Sequence, residues 1–159
     1  MSVAEVSNVL WRERELLELL LFKLDEEQLV LSGGRSRWLP HATREVELVL
    51  AQVRDAELLR AVEVDEYSTE LGLEPGVSLR AIADASTDPW KELLHAHRRA
   101  LLELTAEITA MAASNRDILT AAQRATHETL LGLGGGVETY APSGMATSPA
   151  PSHLVDRAL

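Results

Sequence analysis

Cysteine is absent from this chain of 159 residues, which excludes disulfides and thiol chemistry. Aromatic residues make up only 4%, and glycine and proline gather outside the periodic stretches, as is typical of long helices rather than of a sheet. No uninterrupted apolar run is longer than Leu19–Phe22, whereas a membrane span needs about twenty residues. The first ten residues also lack the basic start of an export signal. We therefore expect a soluble, cytoplasmic protein without membrane insertion.

Basic charge is also scarce, because 25 Asp and Glu residues outnumber 15 Lys and Arg residues and leave a formal net charge of −10. Nucleic-acid binding needs a basic surface, and the short basic cluster His95–Arg99 has Glu92 and Glu103 beside it. We interpret this cluster as a solvated helix face and predict no nucleic-acid partner.

What the sequence does contain is a long row of residues, mostly apolar or small, spaced alternately by four and three. We call this row the seam: Trp90, Leu94, His97, Leu101, Leu104, Ile108, Met111, Asn115, Ile118, Ala122, Ala125 and Thr129. A heptad row of this kind predicts one continuous helix that packs against other helices. The helix is expected to run from Asp88 to about Leu131 and to be roughly 65 Å long.

A first, shorter helix is predicted from Ser2, which forms a capping box with Glu5, to Ser32. The pair Gly33–Gly34 ends it, and we interpret the pair as a turn because no phosphate-binding pattern surrounds it. This helix is apolar on more than one side, so several neighbours must cover it. We expect the adjacent helices and the connecting segment to cover the apolar residues Leu16, Leu17, Leu19, Leu20, Leu21, Phe22 and Leu24.

A second helix is predicted to begin between Ser36 and His41, because Pro40 is tolerated only near a first turn, and to end near Leu71 and Gly72. Its apolar stripe is expected to drift near the end of the helix. The stripe comprises Ala42, Val46, Val49, Val53, Ala56, Leu59 and Val62.

Ser78 is predicted to cap a short connecting helix, and Asp88 to cap the long helix with Pro89 at its first position. The fold class is therefore all-α: an antiparallel three-helix bundle or coiled coil of long helices with a short connecting helix. We assign residues 1–133 to this helical domain. Residues 134–159, rich in Gly, Pro and Ser, are expected to form a flexible, disordered tail.

Catalytic and metal-binding patterns are scarce in this sequence. Glu92 and His95 match the Glu-x-x-His spacing of carboxylate-bridged metal sites once, but both fall off the seam and no second copy exists. No Gly-x-Ser-x-Gly elbow is present either. We predict that the chain binds no metal and no cofactor and is not an enzyme.

His97 and Asn115 occupy seam positions at which Leu or Ile would stabilise the helix packing more. A polar residue in such a row commonly fixes the register or number of helices at a cost in stability, and we favour this interpretation. Two alternatives for His97 are a packed histidine whose polar edge meets water and a pH-dependent switch.

The lengths of the predicted helices suggest a binding surface. Helices of about thirty residues span roughly 45 to 50 Å, so they cannot cover all of a 65 Å partner. An uncovered apolar strip at the end of the long helix would bind another helix or a second copy of the chain. The candidate residues are Ile118, Leu119, Ala122, Ala125, Leu130 and Leu131.

Several segments resemble the FlgN-type family of flagellar export chaperones: LLELLLFKLDEEQ at Leu16–Gln28, GRSRWL at Gly34–Leu39, REVE at Arg44–Glu47 and NRDIL at Asn115–Leu119. The resemblance covers about Glu13 to Leu131, and Pro40 departs from it. It implies an antiparallel helical, cytosolic chaperone that binds the C-terminal helical segment of the hook-filament junction (hook-associated) proteins. Such a chaperone keeps these clients monomeric and delivers them to the export gate.

Tyr140, the only aromatic residue in the tail, is a candidate anchor for a second partner such as a component of the export gate. Three alternatives remain open for the function. The chain could be a coiled-coil structural or adaptor module that forms a homodimer, a chaperone of another secretion system, or an enzyme whose site is not recognised.

Overall fold

The computed structural model describes residues 2–134, and every regular element among them is helical. Residues 135–159, which hold Tyr140 and nearly all of the predicted tail, lie outside the described residues. The elements are α1 (Val3–Ser32), α2 (Leu39–Glu70), α3 (Leu79–Ala85) and α4 (Trp90–Leu133).

Helix α1 is the central helix of the bundle, because it packs against α2 and also against α4. Within residues 2–134, the backbones of α2 and α4 do not approach each other closely. Helices α1 and α4 run parallel, since Ser7 contacts His97 near their beginnings and Leu24 contacts Asn115 further along. The short turn after α1 makes α2 antiparallel to both. The predicted all-α bundle is therefore confirmed.

The core consists of aliphatic side chains from all four helices. Helix α1 contributes residues to this core and packs against both α2 and α4. The buried residues of this core are Val6, Leu10, Leu16, Leu17, Leu20, Leu24, Val46, Val49, Val53, Ala56, Val64, Leu79, Ile82, Ala83, Leu94 and Leu101. Other surfaces of α1 remain uncovered, because Leu19 and Phe22 are exposed and α3 packs on α4 and α2. The expectation that neighbours would cover the whole apolar surplus of α1 is therefore wrong.

Most helix boundaries follow the local signals. The backbone N–H of Ser2 donates to the Glu5 carboxylate at the start of α1, and Gly34 after its end adopts φ +65°, a conformation that favours glycine. Ser78 Oγ accepts from the backbone N–H of Ala81, as its predicted capping role requires. Asp88 does not cap α4, because the helix begins one residue later than predicted, with Pro89 in the cap position.

The buried stripe of α2 follows the prediction only as far as Ala56. The expected continuation, Leu59 and Val62, is half exposed, whereas Arg60 and Val64 are buried. The stripe keeps its helical spacing, although it includes the charged residue Arg60. Burial of Arg60 is possible because a carboxylate of α1 forms an ion pair with it.

Helix α4 has 44 residues against 30 in α1, about 66 Å against about 45 Å. Its N-terminal half is packed on α1 and α3, and every residue from Leu119 to Gly134 is exposed. The predicted overhang of the long helix is thus present. Among residues 2–134, no helix combines the length and the apolar character that a membrane crossing would require.

Candidate functional site

A groove of about 440 Å³ lies where α4 runs past the end of α1. We call it the terminal groove. One wall is the end of α1 with the following turn, and the other wall is the exposed part of α4. Its lining residues are Val30, Leu31, Gly34, Arg35, Ser36 and Leu39 on the first wall and Leu119, Ala122, Gln123, Thr126, His127 and Leu130 on the second.

The terminal groove is mainly apolar, with a few polar groups at its edges. Leu130 is 63% exposed although it faces an apolar surface, and Leu131 beside it is equally exposed. Arg35 and His127 supply the basic groups among the lining residues. A cleft with apolar walls and open leucines is suited to receive the apolar face of a helix.

The structure brings together three of the six residues in the predicted strip. Leu119, Ala122 and Leu130 line the terminal groove. Ile118 is half buried, and Ala125 and Leu131 are exposed on α4 outside the groove lining. The sequence did not indicate the opposite wall, because the end of α1 and its turn reach this level only through the parallel packing of α1 and α4.

His97 is fully buried between α1 and α4, and both of its ring nitrogens have partners on α1. Arg14 can only donate, so its Nη1 donates to Nδ1 at 3.3 Å, and Nε2 then donates to Ser7 Oγ at 3.2 Å. The Trp11 ring meets the imidazole edge-on at 4.8 Å. Burial, followed by the nearby Arg14 charge, lowers the pKa of His97 to about 4, so the ring is neutral at pH 7.

Asn115 is the second polar contact between α1 and α4. Its Nδ2 donates to the Leu24 carbonyl oxygen at 2.9 Å and to Glu27 Oε1 at 3.0 Å, while its buried Oδ1 has no protein partner. A hydrogen bond from Gln28 to Ser114 lies beside it. These directional contacts are satisfied at one alignment of the two helices, which supports the proposed role of Asn115 and His97 in the register.

A buried ion pair between α1 and α2 was missed by the sequence interpretation. Arg60 Nη1 lies 3.1 Å from Glu13 Oε1, without the geometry of a hydrogen bond, and both side chains are almost fully enclosed. Burial raises the pKa of Glu13 to about 7, although the Arg60 charge opposes the rise. The available signal was the spacing of Leu10, Glu13 and Leu17, which places Glu13 in the apolar row of α1.

Metal-binding geometry is not found within residues 2–134, where no three His, Cys, Asp or Glu side chains come together around a common point. His95 contacts α3 instead of sharing a site with Glu92. Its Nε2 lies 2.9 Å from Asp84 Oδ1 and so joins α4 to α3. This contact is a hydrogen bond at the bundle surface.

Comparison with known proteins identifies one family. The family described as FlgN protein matches residues 1–148, which is most of the chain and includes every residue of the terminal groove. No curated protein and no solved structure compared with the chain matches it. The family match confirms the resemblance found at Leu16–Gln28 and Asn115–Leu119. The chain belongs to the FlgN family, a family of flagellar export chaperones.

Proposed function

We propose that this chain is a cytoplasmic chaperone of the flagellar type III export pathway whose terminal groove holds the C-terminal helical segment of a hook-filament junction protein. One observation carries the proposal: α4 continues past α1 and leaves an apolar groove with open leucines. The family match supports a client of the flagellar export pathway.

The chemistry of such a client fits the groove. An amphipathic terminal helix that is left bare would self-associate, and burial of its apolar face stabilises a complex by about 25 cal/mol per Å², before ordering costs. Leu119, Ala122 and Leu130 form the wall that receives the helix, and Ala125 and Leu131 extend the contact along α4. The bound client stays monomeric until the chaperone delivers it to the export gate, where Tyr140 is the proposed anchor.

The test uses a double variant, Leu119→Asp with Leu130→Asp, and a peptide of the C-terminal helix of the hook-filament junction protein from the same host. Two carboxylates in the apolar wall should weaken binding by about a hundredfold, because each lost leucine contact is worth about 1.5 kcal/mol or more. Leu58→Asp is the matched control, since Leu58 is as exposed as Leu130 but lies on α2. Isothermal titration gives the affinity, and circular dichroism checks that helicity is retained.

Unchanged affinity in the double variant would exclude the terminal groove as the client site. Sedimentation of the wild type separates the alternative of a structural coiled-coil module. A monomer that takes up one client chain supports the chaperone, whereas a tight dimer that ignores the client peptide supports the module. Binding of clients from another secretion system in preference to the flagellar peptide would reassign the pathway.

A further inference from the structure

A second groove lies between α1 and α4, nearer the middle of the bundle. It has a volume of about 360 Å³, and we call it the acidic groove. Its position is distinct from that of the terminal groove, because Met111 precedes Ala122 by three helical turns, about 16 Å along α4. The lining residues are Glu18, Leu21, Phe22 and Asp25 from α1 with Glu107 and Met111 from α4.

The three carboxylates of the acidic groove have no ion pair or hydrogen bond with any group in residues 2–134. The basic side chains of α1 nearest in sequence pair with other groups. Lys23 Nζ contacts Glu26 and Glu45, at 3.3 Å and 3.1 Å, and also lies 5.5 Å from the centroid of the Phe22 ring.

Arg14 likewise contacts His97, and its guanidinium stacks on Trp11 at 4.2 Å from the ring centroid. Neither Lys23 nor Arg14 therefore pairs with a carboxylate of the acidic groove.

The floor of the acidic groove is apolar. Phe22 is 60% exposed, and the half-buried Leu21 and Met111 lie beside it. An open phenylalanine costs hydration free energy that a covering apolar group would recover. The site thus combines an apolar centre with carboxylates on both sides, from α1 and from α4.

We propose that the acidic groove binds a basic amphipathic helix of a second protein, separate from the client in the terminal groove. Glu18 and Asp25 are seven residues apart, about 10.5 Å along one face of α1. A partner helix with Arg or Lys at positions i and i+7 matches this spacing, and apolar residues at i+3 and i+4 then meet Phe22. Glu107 faces the same helix from the opposite side and accepts a third basic group.

The first experiment uses the full chain and a synthetic helical peptide with Arg at i and i+7 and Leu at i+3 and i+4. Fluorescence anisotropy measures its affinity at low and at high ionic strength. A peptide of identical composition with the Arg residues at i and i+5 is the reference, because that spacing turns one Arg off the shared face. The matched peptide should bind up to about fivefold more tightly than the reference, as expected for one surface charge pair.

The second experiment locates the peptide on the protein. The triple variant Glu18→Gln, Asp25→Asn, Glu107→Gln should bind it about tenfold more weakly. The control Glu47→Gln, Glu66→Gln, Glu74→Gln removes the same charge from exposed positions outside both grooves and should leave affinity unchanged. Phe22→Ser should also weaken binding, with Leu58→Ser as its control.

The possible results decide the proposal in either direction. Selective loss in the acidic-groove variants supports it. An equal loss in both triple variants would show general attraction to the net charge of −10 and would overturn it. Absence of binding, or loss only in the Leu119→Asp, Leu130→Asp variant, would also overturn it, the latter because the peptide would then occupy the terminal groove.

Discussion

Glu13 of α1 and Arg60 of α2 form an ion pair that the two helices enclose, with 3.1 Å between Oε1 and Nη1. The second carboxylate oxygen, Oε2, is buried without a hydrogen-bond partner. Burial of two charges costs hydration free energy that their mutual attraction offsets only in part. The pair therefore makes the α1–α2 interface sensitive to the loss of either residue and to pH.

Removal of one partner should be far more harmful than removal of both. Arg60→Ala leaves the Glu13 carboxyl buried without its counter-charge and should lower the free energy of unfolding by about 3 kcal/mol. The double variant Glu13→Leu, Arg60→Met replaces the pair by apolar side chains and should be at least as stable as the wild type. Urea denaturation at pH 7 measures both, and a double variant as unstable as Arg60→Ala would contradict this account.

The raised pKa of Glu13 predicts a stability that declines with increasing pH. The folded state holds the proton up to a pKa of about 7, whereas the unfolded chain releases it near 4.5. The stabilisation is complete below pH 4.5 and is lost as pH rises to 7, by about 3 kcal/mol in total. Glu13→Gln, which cannot ionise, should lack this decline when unfolding is measured at pH 5 and pH 8. Parallel pH profiles for the two proteins would refute the assignment.

The lowered pKa of His97 predicts the opposite pH dependence, a stability that declines with decreasing pH. Its folded pKa of about 4 lies below the ordinary value of 6.5, so the stability is complete above pH 6.5 and falls as pH decreases toward 4. The loss should approach about 3 kcal/mol and should be absent in His97→Gln. Because the Glu13 and His97 effects oppose each other between pH 4.5 and 6.5, the wild type should vary less there than either variant. A wild type steeper than both would disprove the pairing of these effects.

Glu13 and Arg60 also illustrate which features of the fold could be predicted from the sequence and which could not. The apolar spacing, Gly34 and Ser78 predicted the helices and their turns, because those signals act within a few residues. The burial of Glu13 and Arg60 was not predicted, because a charged residue in a helical row is ordinarily exposed. Only the packing of α2 on α1 brings the two together and makes both positions part of the interface.

For a similar reason, only one wall of the terminal groove was predictable from the sequence. Helix lengths indicated that the end of α4 would lack cover, and its leucines are exposed. The opposite wall, with Val30 and Leu39, depends on the axial offset between α1 and α4. That offset is defined by contacts such as Asn115 to Leu24, which join residues distant in the sequence.

We therefore predict that Asn115 lowers the free energy of unfolding but fixes the alignment of α1 with α4. Asn115→Leu removes the buried, unpartnered Oδ1 and adds apolar packing, so the midpoint of urea denaturation should not fall and is expected to rise. The same variant should populate dimers or higher oligomers, because the contacts of Asn115 with Leu24 and Glu27 no longer select the α1–α4 alignment. Asn115→Ala, which leaves a cavity, should instead be destabilised. Sedimentation equilibrium and denaturation test both, and a monomeric Asn115→Leu protein would rule out the register role.

The overhang of α4 should be the least stable part of the described helices. From Leu119 to Leu133 the helix has little tertiary cover, so its amide hydrogens should exchange orders of magnitude faster than those between Leu94 and Leu101, which are buried on α1. A client peptide bound in the terminal groove should slow exchange at Leu119–Leu130 and leave Leu94–Leu101 unchanged. Hydrogen exchange followed by mass spectrometry measures both segments. Protection confined to α2 on addition of the peptide would place the client elsewhere, since α2 contributes to this groove only through Leu39.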